Sequence, residues 1–239
     1  GICRDITARV AMEAKVREHE RMAYVGHLAA SLSHEIRNPL ATIKLNLQIL
    51  SRRQAAHCSD TDRLVMAESE VSRLEGILHQ LLDLAKPLSP NPKTSDVNAI
   101  VRGCLEVLRP QLDQRGLRVR RRLDPELNAL NIDSGMLEQM LFNLMLNAMD
   151  AAGQSGHITV STRADQDGKA CSISVRDNGP GMSNEELAQI FTPFFTGKTH
   201  GTGLGLSIVK RQAQAHGGTV AVASKPGQGA KFTILMKSL

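Results

Sequence analysis

Residues 86–93 read Lys86-Pro87-Leu88-Ser89-Pro90-Asn91-Pro92-Lys93, and the prolines decide how the chain is divided. Each lacks an amide donor and pushes the residue before it toward extended backbone, so no helix runs through the segment. The reading places a hinge linker over residues 87–95, a helical unit before it and an α+β unit after it.

Upstream, Ile36, Leu40, Ile43, Leu47 and Leu50 recur at alternating spacings of four and three. So do Leu64, Ala67, Val71, Leu74, Leu78, Leu81 and Ala85. That period predicts two long amphipathic helices. The short polar stretch from Gln54 to Thr61 predicts that they fold back as an antiparallel hairpin. A lone hairpin leaves its apolar seam in water; pairing two hairpins into a four-helix bundle buries both seams, so a two-fold homodimer is expected. Residues 8–26, rich in Glu, Arg, Ala and Met, extend the first helix backwards.

Downstream the pattern alternates. Val97 to Gln114 and Ser134 to Ala152 read as helices, and Leu204 to His216 as a third. Leu117 to Leu123, His157 to Arg163, Ala170 to Arg176, Thr219 to Ala223 and Ala230 to Met236 read as strands. The expectation is a two-layer α/β sandwich.

Of the 239 residues, 41% are apolar and 22% charged, which describes a globular chain and excludes disordered and fibrous classes. No apolar run approaches the roughly 18 residues of a membrane span. The best candidate, Met136 to Met149, is broken by Glu138, Gln139, Asn143 and Asn147. Gly1 to Thr7 lack the apolar core of a leader, so the cytoplasm is the expected compartment and no span is expected within this stretch. Cys3, Cys58, Cys104 and Cys171 are too far apart for a zinc knuckle or redox pair. A net charge of +5 and the cluster Arg118, Arg120, Arg121 and Arg122 suggest nucleic acid. One Tyr, five Phe and no Trp leave few stacking platforms, so the cluster is read as a solvated strand face and no nucleic-acid partner is expected.

The chemistry-bearing segments come in a fixed order. Ser33-His34-Glu35-Ile36-Arg37-Asn38-Pro39-Leu40 lies on the first helix. At about 100° per residue, His34 points roughly 160° away from the apolar seam, toward solvent. Glu35 can fix the tautomer of its ring so that the other nitrogen is a nucleophile. Asn38 lies one turn on, and Pro39 frees the Glu35 carbonyl and predicts a kink beside the ring. A zinc protease needs a second histidine where Asn38 stands. Further on, Asn143 and Asn147 share a helix face and could meet Mg²⁺ and phosphates. Asp177-Asn178-Gly179-Pro180-Gly181 follows a strand, a turn whose carboxylate can accept from an exocyclic amine. Phe191-Thr192-Pro193-Phe194-Phe195 and the polar residues to His200, including Lys198, read as a lid. Gly201-Thr202-Gly203-Leu204-Gly205 opens a helix whose free amides suit phosphate. Thr196-Gly197-Lys198-Thr199 is no P-loop, because the earlier glycine would fall at Thr192.

In this order the segments resemble a sensor histidine kinase of two-component signalling, over nearly the whole chain from about Ala8 to Leu239. The resemblance implies residues 8–86 as the dimerisation and histidine phosphotransfer domain, and 96–239 as a catalytic ATP-binding domain of the Bergerat, or GHKL, fold. Residues 1–7 resemble the end of a PAS sensor domain. It implies ATP and Mg²⁺ as cofactors, His34 as the phosphoacceptor, Glu35 as the aid to its deprotonation, and Asn147 with Asn143 as the Mg²⁺ and phosphate contact. Asp177 would read the adenine amino group, with Gly179 and Gly181 shaping the base pocket. Phe191 and Phe195 would anchor the lid, and Gly201, Gly203 and Gly205, with Thr202 and Leu204 between them, would admit the triphosphate. The implied partner is the receiver domain of a response regulator, with Asn38 at the position that supports its dephosphorylation. A serine kinase or conformational ATPase of the same nucleotide fold is the alternative, and a noncatalytic nucleotide-binding scaffold a further one.

Overall fold

The computed structural model describes residues 36, 40–48, 62, 64–71, 74–76, 88–165, 167–198 and 202–238. The chain forms two compact units, Gly1–Lys86 and Pro87–Leu239. In the first, every described residue is helical, including 40–48, 64–71 and 74–76. Several seam residues stand in water there: Leu40 is 51% exposed, Leu47 50% and Leu64 49%.

The second unit runs β1 (Lys93–Ser95), α1 (Val97–Gln114), β2 (Arg118–Arg122), β3 (Leu130–Ile132) and α2 (Ser134–Ala152). It continues with β4 (His157–Ala164), β5 (Ala170–Asp177), α3 (Asn184–Gln189), α4 (Gly205–Ala215), β6 (Thr219–Ser224) and β7 (Ala230–Lys237). The two long helices start where carboxylates cap them. Asp96 accepts from the Ala99 amide at 3.0 Å, and Asp133 accepts from Met136 at 3.0 Å, each satisfying a donor the helix cannot.

A five-stranded sheet has the order β2-β4-β5-β7-β6, with β2 and β4 parallel and the other neighbours antiparallel. Alternation sends Ile158, Val160, Ile173, Val175, Phe232 and Ile234 inward. They meet Leu137, Met140, Leu141, Leu144 and Met145 of α2, with α1 and α4 on either side of it. The opposite face carries mostly Arg, Lys, Ser and Thr, with Leu235 and a few alanines among them.

The short elements differ from the sequence reading. β1 lies within residues 87–95, expected as linker, yet pairs antiparallel with β3, Thr94 opposite Asn131. The Asn91 amide also donates to Asp133 at 2.9 Å, fastening the chain to the start of α2 from that point on. Cys104 and Cys171 are buried free thiols, and burial raises them, Cys104 to about 11 and Cys171 to about 12. Among the described residues, no helix is long and apolar enough to cross a membrane.

Candidate active site

The carboxyl-terminal half of α2 is the floor on which the other segments meet. Leu144, Met145 and Ala148 are buried in the core and fix the helix's rotation. Asn143 and Asn147, one turn apart, then come out half-buried on a flank.

The Asp177 turn leans on the same helix. A β-carbon at Gly179 would lie 2.6 Å from the Ala151 carbonyl oxygen, so any side chain would lift the turn off α2. Gly181 has φ +71°, and a β-carbon there would overlap the Lys225 carbonyl, so both backbone and space demand glycine. Asp177 is 4% exposed at the end of β5. Its Oδ1 accepts from the amides of Gly179 at 2.8 Å and Ala230 at 3.2 Å. Among the described residues no hydrogen bond engages its Oδ2. The β6–β7 turn closes over this corner, with Gly227 donating to the Pro180 carbonyl at 2.6 Å and Met182 donating to Ser224 Oγ at 3.0 Å.

The lid is anchored at its base. Phe191 and Phe195 pack half-buried against the core, with the Lys210 ammonium 5.7 Å from the centre of the Phe191 ring. Phe194 adopts φ +63°, and its amide donates to the Gly203 carbonyl at 3.1 Å. A β-carbon at Gly203, itself at φ +65°, would overlap the Phe194 main chain. The base of the lid therefore lies directly on the start of α4. That start has no side-chain cap, which leaves its first amides available to an anion. Gly205 brings it close to α2, since a β-carbon would lie 3.2 Å from Asn143 Oδ1. Leu204 is fully buried, main chain included. Thr202 Oγ1 accepts from the Leu204 amide at 3.4 Å.

Lys198, out on the lid, reaches across to α2. Its ammonium donates to Asn147 Oδ1 at 3.2 Å and to Asp150 Oδ2 at 3.0 Å. Arg115 Nη1 holds the other Asp150 oxygen at 2.9 Å. Burial opposes the Asp150 charge, but the hydrogen bonds from Arg115 and Lys198 prevail and hold it below the usual carboxylate range.

Asn143, Asn147, Asp177, Gly179, Gly181, Phe191, Phe195, Lys198, Thr202, Gly203, Leu204 and Gly205 thus lie in segments that converge on α2. His34, Glu35, Asn38 and Gly201 fall outside the described residues. Sequence reasoning passed over Asp150 and Arg115. Asp150 had a signal, three residues after Asn147 on the same helix face; Arg115, 35 residues away, had none.

Residues 132–238 match the family model described as Histidine kinase-, DNA gyrase B-, and HSP90-like ATPase, and residues 24–90 match the His Kinase A (phospho-acceptor) domain. The chain belongs to the sensor histidine kinases. Sensor histidine kinase ZraS of Escherichia coli K12 is 36% identical over 231 residues, which are 97% of this chain and 49% of ZraS. The chain spans about half the length of such curated relatives. Histidine kinase ThkA, in its crystal structure with response regulator protein TrrA, superposes with a TM-score of 0.80 at 25% identity, covering 92% of this chain and 64% of that one. Full-length ShkA in complex with AMPPNP gives 0.65 at 29% identity, covering 88% and 46%. This histidine kinase core therefore joins a helical phosphoacceptor region to an ATP-binding domain of the GHKL fold.

Proposed function

We propose that this chain transfers the γ-phosphoryl group of ATP to a ring nitrogen of His34 and passes it to an aspartate of a response-regulator receiver domain. The observation that carries this reading is the pairing of a phosphoacceptor match spanning His34 with an ATPase unit whose asparagine, aspartate, lid and glycine segments converge on α2. ThkA was crystallised with a response regulator and ShkA with AMPPNP, which supports both halves of the scheme.

In this scheme Asp177 Oδ2 accepts from the adenine amino group, while Oδ1 stays committed to the Gly179 and Ala230 amides. Gly179 and Gly181 keep side chains out of the base's way. The open amides at the start of α4, with Gly201, Gly203 and Gly205, receive the phosphates. Mg²⁺ prefers oxygen donors. Asn147 Oδ1 already attracts a cation in Lys198, and Asn143 Oδ1 lies a turn before it, so the pair suits that ion. Bound there, it would neutralise charge on the triphosphate. Glu35 takes the proton from the imidazole as the nitrogen–phosphorus bond forms, and the bond from phosphorus to the bridging oxygen breaks to leave ADP. Such transfer is catalysed chiefly by positioning and charge neutralisation.

The exposed Leu40, Leu47 and Leu64 favour burial against a second hairpin, which supports a homodimer with a four-helix bundle. Of residues 87–95, only those ahead of the Asn91 bond to Asp133 are left to act as the hinge between the domain of residues 8–86 and the ATP-binding domain, and residues 1–7 end a preceding PAS domain. Asn38 orients the water that dephosphorylates the receiver.

The test is labelling with γ-labelled ATP. Label should appear on the wild type, be lost on brief acid treatment, survive base, and be absent from His34→Gln. Label of normal rate on His34→Gln, or acid-stable label, would point instead to a serine acceptor.

A further inference from the structure

The outward face of the five-stranded sheet is a cationic plane that neither the core nor the phosphoryl chemistry uses. The strand register sends Arg118, Arg120 and Arg122 outward from β2, Arg163 from β4 and Arg176 from β5. Lys231 and Lys237 do the same from β7. All of these side chains are exposed, and no outward position of the five strands carries Asp or Glu. One rung crosses four strands: Arg120 opposite Thr159, Thr159 opposite Arg176, Arg176 opposite Lys231.

Placing Arg176 directly across from Lys231 sets like charges side by side, which weakens a sheet. Nothing within the fold relieves it. Among the described residues, no ion pair engages Arg118, Arg120, Arg122, Arg176 or Lys231. Asp124, just past β2, faces only Arg163 at one end of the plane. The helical side of the unit is arranged otherwise, for there Arg102, Arg109 and Arg115 each have a carboxylate partner.

We propose that this plane is a docking surface for the phosphate headgroups of an anionic lipid bilayer. Three features favour that occupant. The charges spread in two dimensions across β2, β4, β5 and β7, matching an extended surface of headgroups, whereas a single nucleic-acid strand tracks a line. The hydroxyls of Thr159 and Ser161 between the cations can donate to headgroup phosphate, while that of Thr233 is bonded to Ser174 Oγ at 3.0 Å. The face has no Phe, Tyr or Trp to stack bases or to fill a pocket on a protein partner, its one ring being His157 at the edge, and protein interfaces place such anchors at their centres. Adsorption is thus electrostatic, reversible and without insertion. It is independent of the phosphoryl scheme, because no residue of the nucleotide site takes part.

The experiment sediments the chain with vesicles of phosphatidylcholine, alone or with about a third phosphatidylserine. Binding is expected only to the anionic vesicles and is lost near 0.5 M salt, roughly where the screening length falls below the spacing of the charges. Arg120→Gln with Lys231→Gln should lower the partition coefficient roughly tenfold or more. Arg102→Gln with Arg109→Gln removes the same charge from α1 and should leave it nearly unchanged. Should the first variant melt early, Arg118→Gln with Arg122→Gln replaces it. Equal losses in the two double variants, or equal binding to neutral vesicles, overturn the proposal. So does face-dependent capture of mixed-sequence RNA or of poly-glutamate with no vesicle binding.

Discussion

Asp177 commits one oxygen to the fold and, on the proposed scheme, offers the other to the adenine amino group. Oδ1 holds the amides of Gly179 and Ala230, so Asp177→Ala strands two donors in a corner that is nearly closed to water. That variant should lose about 1–3 kcal/mol of stability by urea denaturation. Asp177→Asn keeps an acceptor for both amides but turns a donor toward the adenine amino group. It should keep its stability and lose ATP affinity roughly tenfold or more in a fluorescence titration. Equal loss of stability in both variants would show that Oδ2 is structural too. Asp150 is a different case. Its carboxyl is held below the usual range, so its ion pairs contribute above the unfolded pKa of about 4 and are lost as pH falls through the folded value. Because the side chain is 44% exposed, the contribution is small, within about 1 kcal/mol at neutral pH. Asp150→Asn should flatten the fall of stability below pH 4, measured by urea midpoints against pH.

At the level of elements, α2 positions everything else, and Asp133 caps it. The same carboxylate accepts from Asn91, so Asp133→Ala both uncaps α2 and releases the segment leading into β1. A loss of about 0.5–2 kcal/mol is expected by thermal melting. A variant that melts like the wild type would mean that the cap is redundant. The caps also explain what the sequence disclosed. α1 and α2 follow their capping aspartates directly, α1 with a strong helical period and α2 with a long run of good helix formers, so Val97–Gln114 and Ser134–Ala152 were legible from residue types alone. The strands of the sheet were legible from alternation, to within a residue or so. β1 and β3 were not, because three residues carry no period and their pairing joins segments far apart in sequence. α3 was missed although Ser183 and Glu186 form a capping box, a signal available in the sequence. At the site, the individual motifs were legible. Their meeting on α2 was not, since it depends on contacts such as Gly179 with Ala151 and Gly203 with Phe194 that no local pattern encodes.

For the whole molecule, the division at Lys86 and Pro87 puts the proposed acceptor His34 and the proposed nucleotide site in different units. A chain of residues 1–86 mixed with one of residues 87–239 should still become labelled on His34, at a rate that rises with concentration. The intact chain's rate should not depend on dilution until the proposed dimer dissociates. The tether supplies an effective concentration in the millimolar range, so the mixed pieces should be slower by orders of magnitude at micromolar protein. A labelling assay over a dilution series measures this, and complete silence of the mixture would mean that the tether does more than hold the parts together.

The Lys198 ammonium seated on Asn147 and Asp150 ties the strap that carries it to the floor helix. On the proposed scheme a dication arriving with the triphosphate would compete for the same amide oxygen, a swap in which a single charge departs as a double one lands. Whatever displaced the ammonium would also unhook the strap that carries it.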